Sequence, residues 1–209
     1  MRKVIVVNNI LDVELYVSDL ELVVFDLDDT LYSEKEYVRS GFHQISKLFP
    51  CIPDAEIKLW SFFLEGKKAI DCFLDAEQIP NHIKDQCLEV YRNHKPRIHL
   101  YPGVYEMLLR LKKSYKLGLI TDGRPEGQRA KIEALNLKSL FDQIIITDEL
   151  GGILFRKPNP KAFQIMSKAL SAEYHDMCYI GDNLKKDIVV AEMLGIKAIH
   201  FQNIDGLYK

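Results

Sequence analysis

Three aspartates follow directly on a short apolar run near the start of the chain. Leu22–Phe25 contains only apolar residues, and Asp26, Asp28 and Asp29 come immediately after it. Such an unbroken run is typical of a strand buried on both faces of a parallel sheet. Because side chains alternate along an extended chain, we predict that Asp26 and Asp28 project to the same side, just past the strand's carboxyl end. Two carboxylates so placed repel each other, and such a site usually holds a divalent cation, a shared proton or both.

Turn formation alone would also account for these residue types. Asp and Thr are common where a chain leaves a strand, and Asp29 or Thr30 could simply cap a helix. The choice between a turn and a reactive site therefore depends on what stands at the ends of the later strands.

Three later apolar segments end in residues that suit a phosphate group. Thr121, Asp122 and Gly123 offer a hydroxyl and the free N–H groups of a turn before a helix. Lys157 lies among prolines just before another predicted helix, and the stretch from Gly181 to Asp187 supplies more carboxylates. Since carboxyl ends of parallel strands meet at one edge of a sheet, we expect all four groups to converge.

Regular alternation of helix and strand patterns predicts the frame that holds these residues. After residue 103, four helical patterns alternate with four apolar segments, and the helices are bounded by Pro or Gly. This order predicts an α/β fold, a doubly wound parallel sheet with helices on both faces. The predicted strands after the first are residues 117–121, 144–147, 178–181 and 198–201.

A helical insertion interrupts this alternation after the first strand. Residues 33–97 carry apolar residues at helical spacing, punctuated by prolines and a glycine, and predict about four short helices. We interpret residues 33–97 as a cap domain and residues 22–32 with 98–209 as a catalytic core. Residues 1–21 are an N-terminal extension, predicted as an edge hairpin of residues 3–7 and 13–17, with a loose extension as the alternative.

Composition excludes several classes of function. The 209 residues are 47% hydrophobic and 28% charged, with a net charge of −2, which gives no electrostatic basis for binding nucleic acid or anionic membranes. No apolar segment is long enough to span a bilayer. The four cysteines are widely spaced, and we expect reduced thiols in a cytoplasmic protein. The sequence does not indicate an oligomeric state.

Residues 22–201 resemble the haloacid dehalogenase-like phosphohydrolase superfamily with the helical type of cap, and Asp26 to Thr30, Thr121, Lys157 and Gly181 to Asp187 match its four motifs in order. The resemblance implies that Asp26 is the nucleophile, Asp28 the acid and base, and Thr121 and Lys157 the phosphate clamp. From their place in the turn after the second motif, we also predict that Asp122, Gly123 and Arg124 bind substrate. It implies a Mg²⁺ ligated by Asp26, Asp182 and the backbone carbonyl of Asp28, with Asp187 and Asn183 close by. It also implies the strand order 3-2-1-4-5, counted from the strand of the first motif.

The chemistry of the residues agrees with these roles. A carboxylate attacks a phosphate dianion only when a cation and a lysine offset the repulsion between them. Asp26 must then be ionised, while Asp28 must carry a proton for the leaving oxygen. A ligand set of oxygen atoms, with no His or Cys nearby, favours Mg²⁺ over zinc.

The predicted function is Mg²⁺-dependent hydrolysis of a small phosphate ester through phosphorylated Asp26. A phosphomutase or another phosphotransferase shares every motif, and a phospho-acceptor signalling module shares most of them. A dehalogenase is disfavoured because displacing halide needs neither Mg²⁺ nor an acid at Asp28. The positions that could select the substrate are Tyr32, Lys35, Arg39, Arg92, Lys95, Arg97, Arg124 and Arg156.

Overall fold

The computed structural model describes residues 4–207. The chain divides into two compact units. One comprises the chain up to Glu34 together with everything from His99 onward, and it contains the sheet. The other is Lys35–Ile98 and is helical.

The first unit is built on one parallel sheet of six strands. Its strands are β1 (Ile5–Val7), β2 (Leu22–Phe25), β3 (Lys116–Thr121), β4 (Gln143–Ile146), β5 (Met177–Gly181) and β6 (Lys197–Phe201). The order across the sheet is β1-β6-β5-β2-β3-β4. The α/β class is confirmed, and the five predicted strands follow one another as expected, with one difference in detail. A sixth strand, β1, extends the edge beside β6.

The prediction of an N-terminal hairpin is wrong. β1 pairs in parallel with β6, Ile5 opposite Ile199, so it joins the sheet without an antiparallel partner. Ile10–Tyr16 forms a 3₁₀ helix instead of a second strand, and the Asn9 side chain accepts the N–H of Leu11 at its start. The buried residues of this helix are three apart, which matches the three residues per turn of a 3₁₀ helix. Lys3, the first residue of the predicted first hairpin strand, lies outside the described residues.

One α-helix leads into β3, and three more connect the later strands. They are α5 (Val104–Leu111), α6 (Pro125–Ala134), α7 (Lys161–Leu170) and α8 (Val189–Leu194), numbered after the four helices of the other unit. Phe163 and Met166 of α7 belong to one apolar cluster with Val24 and Ile120 of the sheet. All four residues of β2 are fully buried, as the apolar run predicts for a central strand. The carboxyl end of β2 is therefore fixed by β3 and β5 on either side of it.

The second unit contains α1 (Glu34–Ser46), which begins at its boundary, α2 (Ala55–Leu64), α3 (Ala69–Ala76) and α4 (Lys84–Asn93). Their apolar faces share one core that includes Ile45, Leu59 and Phe73. Trp60 stacks on Phe63 at 5.2 Å between ring centroids, and the Arg39 guanidinium lies 5.5 Å from the Trp60 ring. The aromatic residues of the insertion thus pack with one another within this unit.

Two further features are the length of the helices and the exposure of the cysteines. Within residues 4–207, no helix combines the length and apolar character needed to cross a membrane. All four cysteines are free thiols: Cys51 is exposed, Cys72 is half-buried, and Cys87 and Cys178 are buried. Burial raises the pKa of the Cys178 thiol to about 12.

Candidate active site

A cavity of about 220 Å³ lies at the carboxyl ends of the central strands. Seven of the predicted site residues are on its wall: Asp26, Asp28, Asp122, Gly123, Lys157, Asp182 and Asp187. Arg156 and Asn183, which the sequence also indicated, line the cavity as well, together with Glu34, Gln128 and Lys186. Residues more than 150 positions apart in the chain meet here because parallel strands bring their carboxyl ends to one edge.

Lys157 lies between two carboxylates of this cavity. Its Nζ is 2.5 Å from Oδ1 of Asp26 and 2.8 Å from Oδ1 of Asp187, and it donates to the Tyr179 hydroxyl at 2.9 Å. Burial by itself would lower the pKa of Lys157, but Asp187 and Asp26 outweigh it and the pKa is raised. Lys157 therefore carries a positive charge directly beside the carboxylate of Asp26.

Asp26, Asp182 and Asp187 form a cluster of buried carboxylates. One oxygen from each lies within 4.8 Å of the others. Burial, then repulsion from Asp187 and Asp29, raises the pKa of Asp182 to about 7. Burial also raises the pKa of Asp26, and Asp187 and Asp182 add to this against the opposing charge of Lys157. Among residues 4–207, Oδ2 of Asp182 has no hydrogen-bond partner, so this oxygen is available to a hard cation.

Gly181 allows Asp187 to come close to the end of β5. A Cβ at residue 181 would lie 2.5 Å from Oδ2 of Asp187, closer than a side chain tolerates. That same oxygen accepts the N–H of Asn183 at 3.0 Å. The glycine of the fourth motif is thus required by the packing of a carboxylate against the strand.

Three donors surround the carboxylate of Asp28. Oδ1 accepts the Tyr32 hydroxyl and, at 2.7 Å, Nζ of Lys131, while Oδ2 accepts Nε2 of Gln128 at 3.1 Å. Burial by itself would raise the pKa of Asp28, but Lys131 together with these donors outweighs it and the pKa is lowered. These directions are the reverse of those that the two roles require, because the pKa is lowered at Asp28 and raised at Asp26. The cause is Lys131, whose charge the sequence analysis did not consider.

Thr121 contacts the site through Gln128. Thr121 is fully buried and its hydroxyl donates to Oε1 of Gln128 at 3.1 Å. Gly123 makes room for this side chain, because a Cβ there would lie 2.6 Å from Nε2 of Gln128. Neither Thr121 nor Arg124 is among the described residues that line the cavity. Arg124 is exposed and stands immediately before α6.

Asp122 fixes the loop that carries Lys157. Its Oδ1 accepts the Thr147 hydroxyl at 2.9 Å and the N–H of Lys157 at 3.1 Å. The neighbouring Arg156 pairs with Asp148 through two hydrogen bonds of 2.7 Å each. The ends of β3 and β4 are thereby joined to the lysine loop.

Sequence reasoning missed Glu34, Gln128, Lys131 and Tyr179. Burial, then repulsion from Asp28, raises the pKa of Glu34 to about 8. Gln128 and Lys131 carried one available signal, a spacing of three that puts both on one face of a predicted helix. Tyr32, considered as a substrate contact, is fully buried and donates to Asp28 instead. The other candidates at the ends of the insertion lie in the helical unit: Lys35, Arg39, Arg92, Lys95 and Arg97.

Comparison with known proteins identifies the family. The model of the haloacid dehalogenase-like hydrolases matches residues 23–201. The chain belongs to this family. Glyceraldehyde 3-phosphate phosphatase of Pyrococcus abyssi is 37% identical over 130 residues, which cover 62% of this chain and 53% of that protein. The enzyme of the same name from Methanocaldococcus jannaschii is 27% identical over 206 residues, 90% of this chain and 86% of its own length.

The fold agrees with solved members of the family. A HAD-hydrolase of Bacillus subtilis bound to magnesium superimposes with a TM-score of 0.64 at 18% identity, over 86% of this chain and 85% of that one. The matches to the first curated relatives span only about half of those proteins, 53% in each.

Proposed function

We propose that this hydrolase is a Mg²⁺-dependent phosphatase that cleaves a small phosphate monoester through phosphorylated Asp26. The observation that carries the proposal is the position of Lys157, in contact with Asp26 and Asp187 beside the unpartnered oxygen of Asp182. A nucleophile, a fixed positive charge and a free carboxylate oxygen are then within one cavity. These are the groups that transfer of a phosphoryl group to a carboxylate requires.

The first step forms a bond between an oxygen of Asp26 and phosphorus, while the bond from phosphorus to the ester oxygen breaks. The leaving alkoxide takes a proton from Asp28 and departs as an alcohol. Lys157 offsets the repulsion between Asp26 and the incoming phosphate, and its contact with Asp187 holds it there. Because Lys157 is almost fully buried, its charge acts with little screening by water.

The second step releases phosphate and restores both aspartates. Asp28 accepts a proton from water, whose oxygen attacks phosphorus and displaces the carboxylate of Asp26. Asp28 then holds the proton that the next leaving group needs. The lowered pKa of Asp28 favours its ionised form, which is the form in which it enters this second step as the base.

Asp26 and Asp182 would hold Mg²⁺, together with the backbone carbonyl of Asp28, and the all-oxygen donor set fits that ion. The bound cation would neutralise charge on the phosphate oxygens. We assign Asp187 chiefly to holding Lys157 and Tyr179, because its Oδ1 contacts both. We assign Asp122 and Gly123 to the wall that faces the phosphate.

The substrate that we propose is a small phosphorylated metabolite. A cavity of about 220 Å³ is smaller than the pockets of drug-sized ligands, which occupy about 300–1,000 Å³. The names of the relatives from Pyrococcus abyssi and Methanocaldococcus jannaschii suggest a triose phosphate as the first compound to test. We propose that residues 33–97 act as a cap of the helical type and select the leaving group. Free cysteines agree with a cytoplasmic location.

A panel of phosphate esters tests the proposal. We expect phosphate release with Mg²⁺ from triose phosphates and sugar phosphates, at many turnovers per protein molecule, and none after chelation with EDTA. Asp26→Asn serves as the control for contaminating phosphatases. Formation of a new phosphate ester in place of free phosphate would indicate a phosphotransferase. A single turnover that leaves the protein phosphorylated would instead indicate a signalling module.

A further inference from the structure

The helix α6 presents two polar side chains to Asp28. Gln128 and Lys131 are three residues apart, so they lie on the same face of the helix. Both are almost fully buried, with 5% and 4% of their surface exposed. Long polar side chains are rarely buried to this degree unless they are paired. Both side chains donate to the carboxylate of Asp28.

The two side chains hold opposite oxygens of Asp28. Lys131 donates to Oδ1 at 2.7 Å and Gln128 donates to Oδ2 at 3.1 Å. Gln128 is in turn fixed by the Thr121 hydroxyl at 3.1 Å and donates to the carbonyl of Asp122 at 2.9 Å. With both oxygens bonded to one rigid helix, the carboxylate plane of Asp28 cannot rotate freely.

We propose that Lys131 is a positioning residue for proton transfer, holding the carboxyl group of Asp28 in the orientation that reaches the leaving oxygen. Lys131 is absent from the described residues on the cavity wall, so it acts through Asp28 and not on the substrate. The inference rests on the proposed phosphatase function, since it assigns a partner to that reaction's acid and base. It adds a residue on α6 outside the four motifs.

The physical basis is the dependence of proton transfer on geometry. A general acid must lie within hydrogen-bond reach of the atom it protonates, and a small rotation of a carboxyl group removes that contact. A misplaced acid slows the departure of a poor leaving group more than that of a good one. Phenol, with a pKa of about 10 like that of tyrosine, needs the proton more than the more acidic 4-nitrophenol.

The experiment compares kcat/KM for phenyl phosphate and 4-nitrophenyl phosphate, with Mg²⁺ present, in the wild type and in Lys131→Met. This ratio reports the steps up to release of the phenol, so it isolates the first half of the reaction. We expect Lys131→Met to lower kcat/KM for phenyl phosphate at least about tenfold more than for 4-nitrophenyl phosphate, within the range of general acid catalysis.

Arg129→Met is the matched control. Arg129 is on the same helix, pairs with Glu149 at 2.7 Å and is largely exposed, so the same loss of charge should leave both constants unchanged. Lys131→Met leaves a buried carboxylate without its cation, which could impair folding. The double variant Asp28→Asn with Lys131→Met removes both charges. It should show the same two constants as Asp28→Asn alone, because Lys131 then has nothing to position.

Two results would overturn the proposal. One is an equal loss on both esters in a folded Lys131→Met protein, which would indicate a structural role. The other is a further loss of the same size when Lys131→Met is added to Asp28→Asn, which would show that Lys131 acts independently of Asp28. A wild type that releases phosphate neither from these two esters nor from triose and sugar phosphates would refute the phosphatase function, and the positioning role with it. Equal losses in an active enzyme refute the positioning role alone.

Discussion

The substitution Asp182→Asn should stabilise the protein in the absence of a metal ion. Asp182 is buried among acidic groups, and its pKa rises to about 7 in the folded chain. Between its ordinary pKa of 3.8 and about 7, the folded chain binds a proton that the unfolded chain has already lost. Stability conferred by this group is therefore lost as the pH rises through that window, and the loss is complete above about pH 7.

The size of the effect follows from the same two pKa values. A rise from 3.8 to about 7, at about 1.36 kcal/mol for each pH unit, corresponds to about 4 kcal/mol as an upper limit. An asparagine still buries a polar group, so we expect a gain of about 2 to 4 kcal/mol at pH 8. For a chain of this length, that gain corresponds to a rise of about 5 to 15 °C in Tm.

The assay is urea denaturation in EDTA at pH 5 and pH 8, followed by circular dichroism. The advantage of Asp182→Asn should be large at pH 8 and small at pH 5. Adding Mg²⁺ should stabilise the wild type strongly at pH 8, because binding to the folded state adds to its stability. The variant should lose most of that gain, since it lacks a carboxylate ligand.

Asp19→Asn is the control. Asp19 is an exposed aspartate, so its substitution should leave the stability unchanged at both pH 5 and pH 8. Asp26 and Glu34 also have raised pKa values, and repulsion from Asp182 contributes to both. The difference between the two proteins therefore includes the relief of this repulsion as well as the proton bound by Asp182 itself. A variant less stable than the wild type at pH 8 in EDTA would refute the reasoning.

Three more outcomes are expected. Asp26→Asn should abolish steady-state turnover while leaving Tm unchanged or higher; measurable kcat above that of a mock preparation would contradict covalent catalysis. Gly181→Ala should cost about 1–3 kcal/mol in urea denaturation, because its Cβ displaces the carboxylate of Asp187, and a neutral result would mean that Asp187 moves freely. Arg110→Ala should leave the urea midpoint nearly unchanged, since the Arg110 side chain is about half exposed in its pair with Glu14 and water screens such pairs, and a clear fall in the midpoint would indicate a packing role.

The placement of the site could be predicted because it depends on topology. An apolar run such as β2 identifies a central strand, and parallel strands bring their carboxyl ends together whatever the details of the loops. Asp26, Lys157 and Asp182 accordingly meet in one cavity. Predicting the place of the site needs only the order of the strands and helices along the chain, which the sequence provides.

The electrostatics of Asp28 could not be predicted in this way. Its contact with Lys131 depends on the rotation of α6 about its axis, which no motif shows. The N-terminal error has a similar origin. Residues 13–17 were predicted as a strand from their apolar character, whereas the spacing of three between the buried Ile10 and Val13 matches a 3₁₀ helix.

The distribution of the cysteines makes the protein suitable for selective labelling. Cys178 lies in the sheet with its thiol pKa raised to about 12, so it stays unreactive toward maleimides at neutral pH. Cys87 is buried as well, whereas Cys51 is exposed in the helical unit. After replacement of the half-buried Cys72 by serine, a fluorophore would attach to the helical unit at Cys51 alone. Paired with a second dye on an introduced cysteine of the sheet unit, it would report the distance between the two units as phosphate esters bind.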